Sequence, residues 1–279
     1  MRIANLDGRL TLLTKDGTAA LDVATASRGR FGPSPAAGYG SWQSFVEWAR
    51  DADLSAAAPY DQDGLGPVSP LPRQVFAVGL NYVDHTAEAG FVQPEQPMIF
   101  TKFPSCLYGP RGDVVLPGAA VDWEVELVVV IGTRAERVAA RDAWSHVAGL
   151  TVGQDLSERA LQLRGAPPQF SLAKSYPRFG PIGPYLTTLD DAGDPADLTL
   201  TCTLNGEVVQ RGNTRDMVFD VPDLVAYLSA VCPLYPGDLI FTGTPPGVGM
   251  GRNPPRYLAP GDILESTIDT LGGMRHTCV

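Results

Sequence analysis

The sequence from Val121 to Ile131 limits the fold most strongly, because alternate side chains of a β-strand point to opposite faces of its sheet. One face of this strand would be apolar throughout and would contain Val121, Trp123, Val125, Leu127, Val129 and Ile131. The other face would begin with Asp122, Glu124 and Glu126 and continue as Val128 and Val130. A face exposed to water would stay polar to its end, so the pattern predicts a strand buried on both faces.

Three acids of the sequence are candidates for a metal site. Glu124 and Glu126 would lie roughly 6.5–7 Å apart along such a strand, so that both side chains reach one cation. Asp155 follows an apolar segment, residues 149–154, and would supply a third carboxylate. Carboxylates held together at low dielectric must take up a proton or find positive charge, and a hard divalent ion such as Mg²⁺ or Mn²⁺ provides it. An edge strand with a solvated acidic rim is the alternative that the strand alone leaves open.

A second group of residues is typical of general base catalysis. If residues 82–88 form a helix, Tyr82, His85 and Glu88 follow one another at intervals of three and lie on one face. His85 beside Glu88 is the arrangement of a base that a carboxylate orients, although such a pair also occurs on protein surfaces. Further along, Lys174 lies in an apolar setting. The glycine- and proline-rich loop 242–249 would bring backbone amides and Thr244 close to an anionic ligand.

The chain organisation predicts two parts. Residues 1–70 are expected to form a small N-terminal α+β module, with a hairpin turn at Asp7-Gly8 and an amphipathic helix after Ser41. Residues 71–279 are expected to form the main domain, which is long enough to bury a full core. Asn205-Gly206 predicts a hairpin, Asp220 is expected to cap a helix, and Pro-Gly-Asp turns at 236–238 and 260–262 precede strands.

Charge and cysteine content exclude several classes of protein. The net charge of −10 argues against nucleic acid or an anionic membrane surface as a partner. We find no run of 18 apolar residues and no signal-peptide core at the start of the sequence. The four cysteines are scattered without CxxC spacing, as in reduced thiols. We therefore expect a cytoplasmic protein.

Seven stretches of the sequence, in order from about residue 73 to the C-terminus, together resemble the fumarylacetoacetate hydrolase family. They are residues 78–85 (VGLNYVDH), 121–126 (VDWEVE), 153–155 (GQD) with Arg159 and Gln162, 174–175 (KS), 204–207 (LNGE), 212–217 (GNTRDM) and 236–249 (PGDLIFTGTPPGVG). The sequence departs from the family pattern at two positions near the expected pocket. Ala160 and Pro177 stand where the family often has aspartate.

The resemblance implies a predominantly β, α+β fold, a mixed β-sandwich roll that usually forms a homodimer. It implies a metal site of Glu124, Glu126 and Asp155 for Mg²⁺, with Mn²⁺ or Ca²⁺ as alternatives. Catalytic roles are implied for His85 and Glu88, which would activate water on a segment that orders over the substrate, and for Lys174. Positions near the substrate are implied for Tyr82, Lys102, Arg159, Gln162 and Thr244.

The main functional prediction is a metal-dependent hydrolase that cleaves a C–C bond in a 1,3-dicarbonyl or acylpyruvate-type acid, such as a fumarylpyruvate- or fumarylacetoacetate-like compound of aromatic or related carbon catabolism. The His85–Glu88 pair favours hydrolysis. The alternative is an isomerase or decarboxylase of a 2-hydroxymuconate-type or β-keto acid, such as 5-carboxymethyl-2-hydroxymuconate or oxaloacetate. A metal-dependent nuclease is disfavoured by the net charge, and by Glu126 where a lysine is expected. A non-catalytic metal-binding protein is a further alternative.

Overall fold

The acidic stretch forms two strands, β10 (Val121–Asp122) and β11 (Val125–Ile131), in a computed structural model that describes residues 1–83 and 94–279. The prediction of one unbroken strand is wrong at Trp123 and Glu124, where the backbone leaves the sheet. Every residue of β11 is buried, and its two faces belong to different hydrophobic cores. The predicted burial on both faces is confirmed.

The large sheet that contains β11 has twelve strands within the described residues. The others are β1 (Arg2–Leu6), β2 (Arg9–Leu13), β3 (Ala19–Asp22), β4 (Ala58–Pro59), β5 (Leu65–Gly66), β6 (Val75–Gly79), β7 (Met98–Thr101), β8 (Leu107–Tyr108), β12 (Val147–Gln154), β14 (Gly180–Thr187) and β17 (Leu239–Phe241). Their order is β4-β3-β2-β1-β14-β12-β11-β17-β6-β7, with β5 beside β1 and β8 beside β14. The sheet is mixed, because β17 runs parallel to β6 and β8 parallel to β14.

A smaller sheet has the order β16-β15-β18-β19-β9. Its strands are β9 (Arg111–Val114), β15 (Thr199–Leu204), β16 (Glu207–Asn213), β18 (Ile263–Ile268) and β19 (Gly272–Cys278). Asn205 and Gly206 turn the β15–β16 hairpin with φ of 54° and 82°, as predicted. β10 pairs separately with β13 (Ser157–Glu158).

The helices are short and lie at the outside of the sheets. The α-helices of the described residues are Val23–Ala26, Pro35–Gly40, Trp42–Arg50, Arg159–Gln162 and Val221–Val231. The 3-10 helices there are Leu54–Ala56, Gln62–Gly64, Pro104–Cys106, Ala140–His146, Thr214–Asp216 and Gly249–Gly251. Asp220 caps helix Val221–Val231 as predicted, since its carboxylate accepts from Asp223 N at 2.9 Å. The chain is thus predominantly β with a helical contribution, as expected.

Two cores lie on opposite sides of the large sheet. Leu127 and Val129 pack in a core that includes the small sheet and helix Val221–Val231. Val128 and Val130 pack in a core that includes the N-terminal helices and Phe45. This three-layer arrangement explains why β11 is apolar on both faces beyond its acids.

The N-terminal strands continue the large sheet. The predicted hairpin at Asp7 and Gly8, with φ of 50° and 78°, joins β1 to β2. β1 pairs antiparallel with β14 through Arg2–Thr187 and Ile3–Leu186. The sheet is therefore continuous across the boundary proposed between residues 70 and 71, and that boundary stays a prediction.

Within residues 1–83 and 94–279, the helices are all too short or too polar to cross a lipid bilayer.

A buried histidine of β19 makes the stability of this fold depend on pH. His276 is 1% exposed, and its Nε2 lies 3.0 Å from the carbonyl oxygen of Gly109. Burial lowers the pKa of His276 from 6.5 to about 4, because the low-dielectric surroundings disfavour the charged imidazole. Since the pKa is lower in the folded state than in the unfolded state, the contribution of His276 is fully present above pH 6.5. It is lost progressively as the pH falls from 6.5 towards 4.

We expect the free energy of unfolding to fall by about 3 kcal/mol between pH 7 and pH 4 through this residue alone. His276→Gln keeps an amide donor for Gly109 O and removes the titration. Urea unfolding at several pH values should therefore give a flatter pH dependence for the variant than for wild type. Equal pH dependence of the two proteins would contradict the assignment.

Candidate metal and substrate site

The three predicted metal ligands meet at the ends of β11 and β12. Glu126 lies within β11, Glu124 precedes that strand, and Asp155 follows β12. The strands are antiparallel neighbours, with Glu126 paired to Gly153, and Asp155 N donates to Glu124 O at 2.9 Å. Each residue offers a carboxylate oxygen, and these three oxygens lie within 4.8 Å of one another. The exposed fractions of Glu124, Glu126 and Asp155 are 7%, 1% and 0%.

Three buried cations surround the acids. Lys174 Nζ lies 2.8 Å from Glu124 Oε2 and 2.7 Å from Asp155 Oδ2. Lys102 Nζ lies 2.6 Å from Asp155 Oδ1, and Arg159 Nη2 lies 2.7 Å from Glu124 Oε1. Arg159 also pairs with Asp122 at 2.8 Å, so among the described residues the cluster contains four carboxylates and three cations. With all seven groups charged, it carries one net negative charge.

Glu126 bears most of the uncompensated charge. Burial raises the pKa of Glu126 well above its ordinary value, and the nearby carboxylates of Asp155 and Glu124 raise it further. The backbone N–H of Gly243 donates to Glu126 Oε2 at 2.8 Å, which is a weaker compensation than a cation would give. Only a residue without a side chain suits this position. The φ of Gly243 is +100°, and a Cβ would lie 2.7 Å from the Cβ of Asn81.

A hard divalent cation fits these residues. The ligands are all carboxylate oxygens, which Mg²⁺, Mn²⁺ and Ca²⁺ prefer, and the cluster has excess negative charge at low dielectric. Glu124, Glu126 and Asp155 would hold the ion. The structure thus brings the three predicted metal ligands together. Metal binding itself, and the identity of the metal, stay predictions.

Lys174 is held in its charged form. Burial alone would lower its pKa, but the carboxylates of Asp155 and Glu124 outweigh burial and raise the pKa above the ordinary value. At neutral pH this side chain is therefore a hydrogen-bond donor and an acid rather than a base. Two of its three N–H groups bind Glu124 and Asp155.

A cavity of about 290 Å³ opens beside the acids. Its polar lining consists of Glu124, Arg159, Gln162, Lys174 and Thr244. Arg159 Nη1 donates to Gln162 Oε1 at 2.8 Å, which fixes both side chains at the cavity wall. Three of the five predicted substrate-binding residues, Arg159, Gln162 and Thr244, thus line one cavity together with Lys174.

The other predicted residues lie elsewhere or outside the described part. Lys102 does not line the cavity; its ammonium binds Asp155 and the carbonyl oxygens of Lys174 and Phe179. Tyr82 is 1% exposed, and the nearby carboxylates of Glu126 and Asp216 add to burial in raising its pKa well above the usual range. The substrate roles of Lys102 and Tyr82 stay predictions. His85 and Glu88 lie outside the described residues.

The structure also shows what surrounds the predicted site. Ala160 and Pro177, where the sequence departs from the family pattern, are exposed, and neither lines the cavity. Two amides of loop 242–249, which was expected to bring amides close to an anionic ligand, donate to carboxylates of the protein. Gly243 N donates to Glu126, and Gly249 N donates to Asp122 at 2.7 Å.

The family follows from comparison with known proteins. The model of the family described as fumarylacetoacetate (FAA) hydrolase C-terminal matches residues 74–279. The chain belongs to this family. It is thus an enzyme of the fumarylacetoacetate hydrolase superfamily, and the predicted family and fold class are both confirmed.

The relatives of this chain within the fumarylacetoacetate hydrolase family are named for different reactions. The mitochondrial oxaloacetate tautomerase FAHD2A of Homo sapiens is 49% identical over 210 residues, which are 75% of this chain and 67% of the relative. The crystal structure of an HpcE protein from Mycobacterium smegmatis has a TM-score of 0.95 and 55% identity, covering 100% of this chain and 99% of that one. Maleylpyruvate hydrolase from Sphingobium sp. SYK-6, in complex with manganese(II) and pyruvate, has a TM-score of 0.82 and 32% identity, with coverage of 100% and 99%.

Two glutamines that the sequence analysis did not identify as site residues hold the backbone at Glu124 and Val125, beside the predicted metal ligands. Where the chain leaves the sheet between β10 and β11, side-chain amides replace the missing strand neighbour. Gln154 Oε1 accepts from Glu124 N at 2.8 Å, and Gln210 Oε1 accepts from Val125 N at 3.0 Å. Gln210 Nε2 in turn donates to Thr244 Oγ1 at 2.8 Å, and Thr244 Oγ1 donates to Val125 O at 2.9 Å. The backbone that carries the acids is thereby fixed.

We expect Gln210→Leu to weaken binding of Mg²⁺ or Mn²⁺ by roughly 10–100-fold, as loss of an outer-shell partner typically does. The leucine leaves Val125 N without its acceptor, so the free energy of unfolding should also fall by about 1–3 kcal/mol. Metal titration by calorimetry, well below the unfolding temperature, separates the two effects. The matched control is Gln43→Leu, which changes an exposed glutamine of helix Trp42–Arg50. Unchanged metal affinity in Gln210→Leu would restrict Gln210 to a purely structural role.

Proposed function

We propose that the chain interconverts the enol and keto forms of a 2-oxo acid with the help of a bound divalent cation. The observation that carries the proposal is the position of Lys174, a charged ammonium between the metal-site acids Glu124 and Asp155, at the wall of a cavity that also contains Arg159. The oxaloacetate tautomerase name of the human relative supports this reaction.

When bound, a divalent cation would supply a Lewis acid for the carboxylate and keto oxygens of the substrate. Arg159 and Gln162 bind and orient the carboxylate end at the cavity wall. Lys174 donates a hydrogen bond to the enol oxygen and, as the acid, gives a proton to the adjacent carbon; the neutral amine that this leaves takes up the proton of the enol O–H, which restores the ammonium. Lys102, which does not line the cavity, forms a buried ion pair with Asp155 at 2.6 Å.

The proposal is tested by following the ultraviolet absorbance of the enols of oxaloacetate and phenylpyruvate with Mg²⁺ or Mn²⁺ present. We expect the protein to accelerate loss of at least one enol, and Lys174→Met to remove most of that acceleration. Enol decay at the buffer rate for both substrates would refute the proposal. The same preparations also test decarboxylation, through release of CO₂.

A second candidate function is the hydrolysis of a C–C bond in an acylpyruvate, the main prediction from the sequence. The maleylpyruvate hydrolase name of the Sphingobium relative, and its complex with manganese and pyruvate, favour it. The same polar end of the cavity would hold the pyruvate part, and His85 with Glu88 would activate water. An acylpyruvate panel assayed for pyruvate release tests this function.

The remaining proposals concern the bound metal ion, the oligomeric state and the cellular location of the protein. We propose Mg²⁺ as the physiological ion, with Mn²⁺ and Ca²⁺ as alternatives, and a role of the enzyme in carbon catabolism. We also propose that the protein forms a homodimer, which analytical ultracentrifugation can test. A cytoplasmic location also stays a prediction; the human relative is named as mitochondrial.

A further inference from the structure

The lining of the cavity is of two chemical kinds. Besides the polar residues already described, it has an apolar part that includes Met98, Phe100, Leu163, Pro168 and Phe170. We infer that the substrate is a 2-oxo acid whose far end is an uncharged, apolar group rather than a second carboxylate. This inference deepens the proposed function and rests on it for the position of the 2-oxo acid end.

The apolar part of the lining begins directly beside Lys174, the cation proposed to bind the head of the substrate. The ring centroid of Phe100 lies 5.1 Å from Lys174 Nζ. The ring of Phe170 meets that of Phe100 edge to face, with centroids 5.6 Å apart and planes at 70°. A group attached one or two carbons from the keto carbon would therefore contact these two rings, because the head group is held at Lys174.

The charges around the cavity disfavour a second carboxylate. Among the cavity-lining residues that the structure describes, Arg159 and Lys174 are the cationic ones, and both already pair with carboxylates of the protein. The sequence of residues 84–93 contains no lysine or arginine, and its one basic side chain is His85. A carboxylate against Phe100 and Phe170 would lose its water without gaining a new cation, whereas an apolar group would lose unfavourable contact with water.

Binding of two 2-oxo acids of nearly equal shape distinguishes a site for an apolar far end from a site for a second carboxylate. 4-Methyl-2-oxopentanoate carries an isopropyl group where oxaloacetate carries its second carboxylate, and pyruvate supplies the shared head alone. Dissociation constants measured by calorimetry with saturating Mn²⁺ report binding whether or not the compounds are turned over. We expect 4-methyl-2-oxopentanoate to bind about tenfold more tightly than oxaloacetate, or better.

Variants of Phe170 test whether the apolar wall of the cavity causes the preference for 4-methyl-2-oxopentanoate over oxaloacetate. Phe170→Ala should weaken binding of 4-methyl-2-oxopentanoate by about tenfold and leave pyruvate within about twofold, so that pyruvate binding also verifies the folded site. Phe170→Lys should reverse the preference by placing a cation on the apolar wall. The control is Leu172→Ala, which removes a side chain that is 65% exposed and does not line the cavity.

The outcomes distinguish this inference from the proposed function. Tighter binding of the apolar acid without acceleration of enol decay would refute the proposed reaction and leave the inference standing. Tighter binding of oxaloacetate, no binding of any of the three acids, or a preference that persists unchanged in both Phe170 variants would overturn the inference.

Discussion

Glu126→Gln is expected to abolish tight binding of Mg²⁺ or Mn²⁺, with a loss of affinity beyond the roughly 10–100-fold caused by changes in outer-shell partners. The amide has the shape of the carboxylate but cannot supply its charge. Tautomerase or hydrolase activity should disappear with the metal, because both reactions need the polarised keto oxygen. Calorimetric titration of the metal and enol absorbance measure the two losses separately.

The same variant should be at least as stable as wild type when both are free of metal. Glu126 is buried beside two other carboxylates that raise its pKa, so its ionised form destabilises the metal-free fold at neutral pH. As the pH falls through the raised pKa, protonation removes this penalty, and the difference between variant and wild type should shrink. Thermal unfolding with chelator present, at neutral and at acidic pH, measures this.

Metal should then raise the unfolding temperature of wild type but not of Glu126→Gln, because only a ligand that binds the folded state stabilises it. Glu207→Gln is the matched control, since it changes an exposed glutamate of β16 in the small sheet, whose partner is Arg256. Metal bound by Glu126→Gln with wild-type affinity would exclude this residue from the site.

His85→Ala is expected to separate hydrolysis from tautomerisation. Loss of a general base should lower the rate of acylpyruvate hydrolysis by roughly 10²–10⁴-fold. Enol–keto conversion should fall far less, because the cation and Lys174 act on it without an activated water. Measuring both reactions on one preparation removes the concern about folding, since misfolding would lower both rates together.

Two results would contradict this assignment. Hydrolysis that survives unchanged in His85→Ala, with metal still bound, would remove His85 and Glu88 from the water-activating role. A loss of enol–keto conversion as large as the loss of hydrolysis, with metal still bound at wild-type affinity and therefore with the site folded, would place His85 in both reactions. Glu88→Gln should reproduce the effect of His85→Ala in a weaker form, since the carboxylate only orients the imidazole.

The acids of the site were predictable from the sequence because alternation along a strand is a local property. Glu124 and Glu126 are two residues apart, and their shared face followed from the apolar neighbours on either side. The break in the strand between β10 and β11 was not predictable. It depends on Gln210, a residue 85 positions from Val125, whose amide replaces a strand neighbour. Such a contact exists only after β16 packs beside the site.

The position of Lys102 shows a second limit. A lysine at the end of a strand was placed near the substrate through the family resemblance. Its ammonium binds Asp155 and the backbone carbonyls of Lys174 and Phe179, which lie 72 and 77 positions further along the chain, so no local pattern could predict these contacts. Its role near the substrate stays a prediction. The pairing of β1 with β14 likewise joins residues about 185 positions apart and leaves no local pattern, so the sequence could not predict that the N-terminal strands extend the large sheet.

The burial of β11 between two cores also bears on how a metal ion would reach the predicted ligands. Of the three acids, Glu124 lines the cavity, whereas Glu126 and Asp155 are buried and do not line it. Because packed cores lie on both sides of the sheet, we expect an ion to enter and leave through the cavity that the substrate would use. A substrate seated against Lys174 would then close that passage, so we expect the metal to bind first and its exchange rate to slow as the cavity fills.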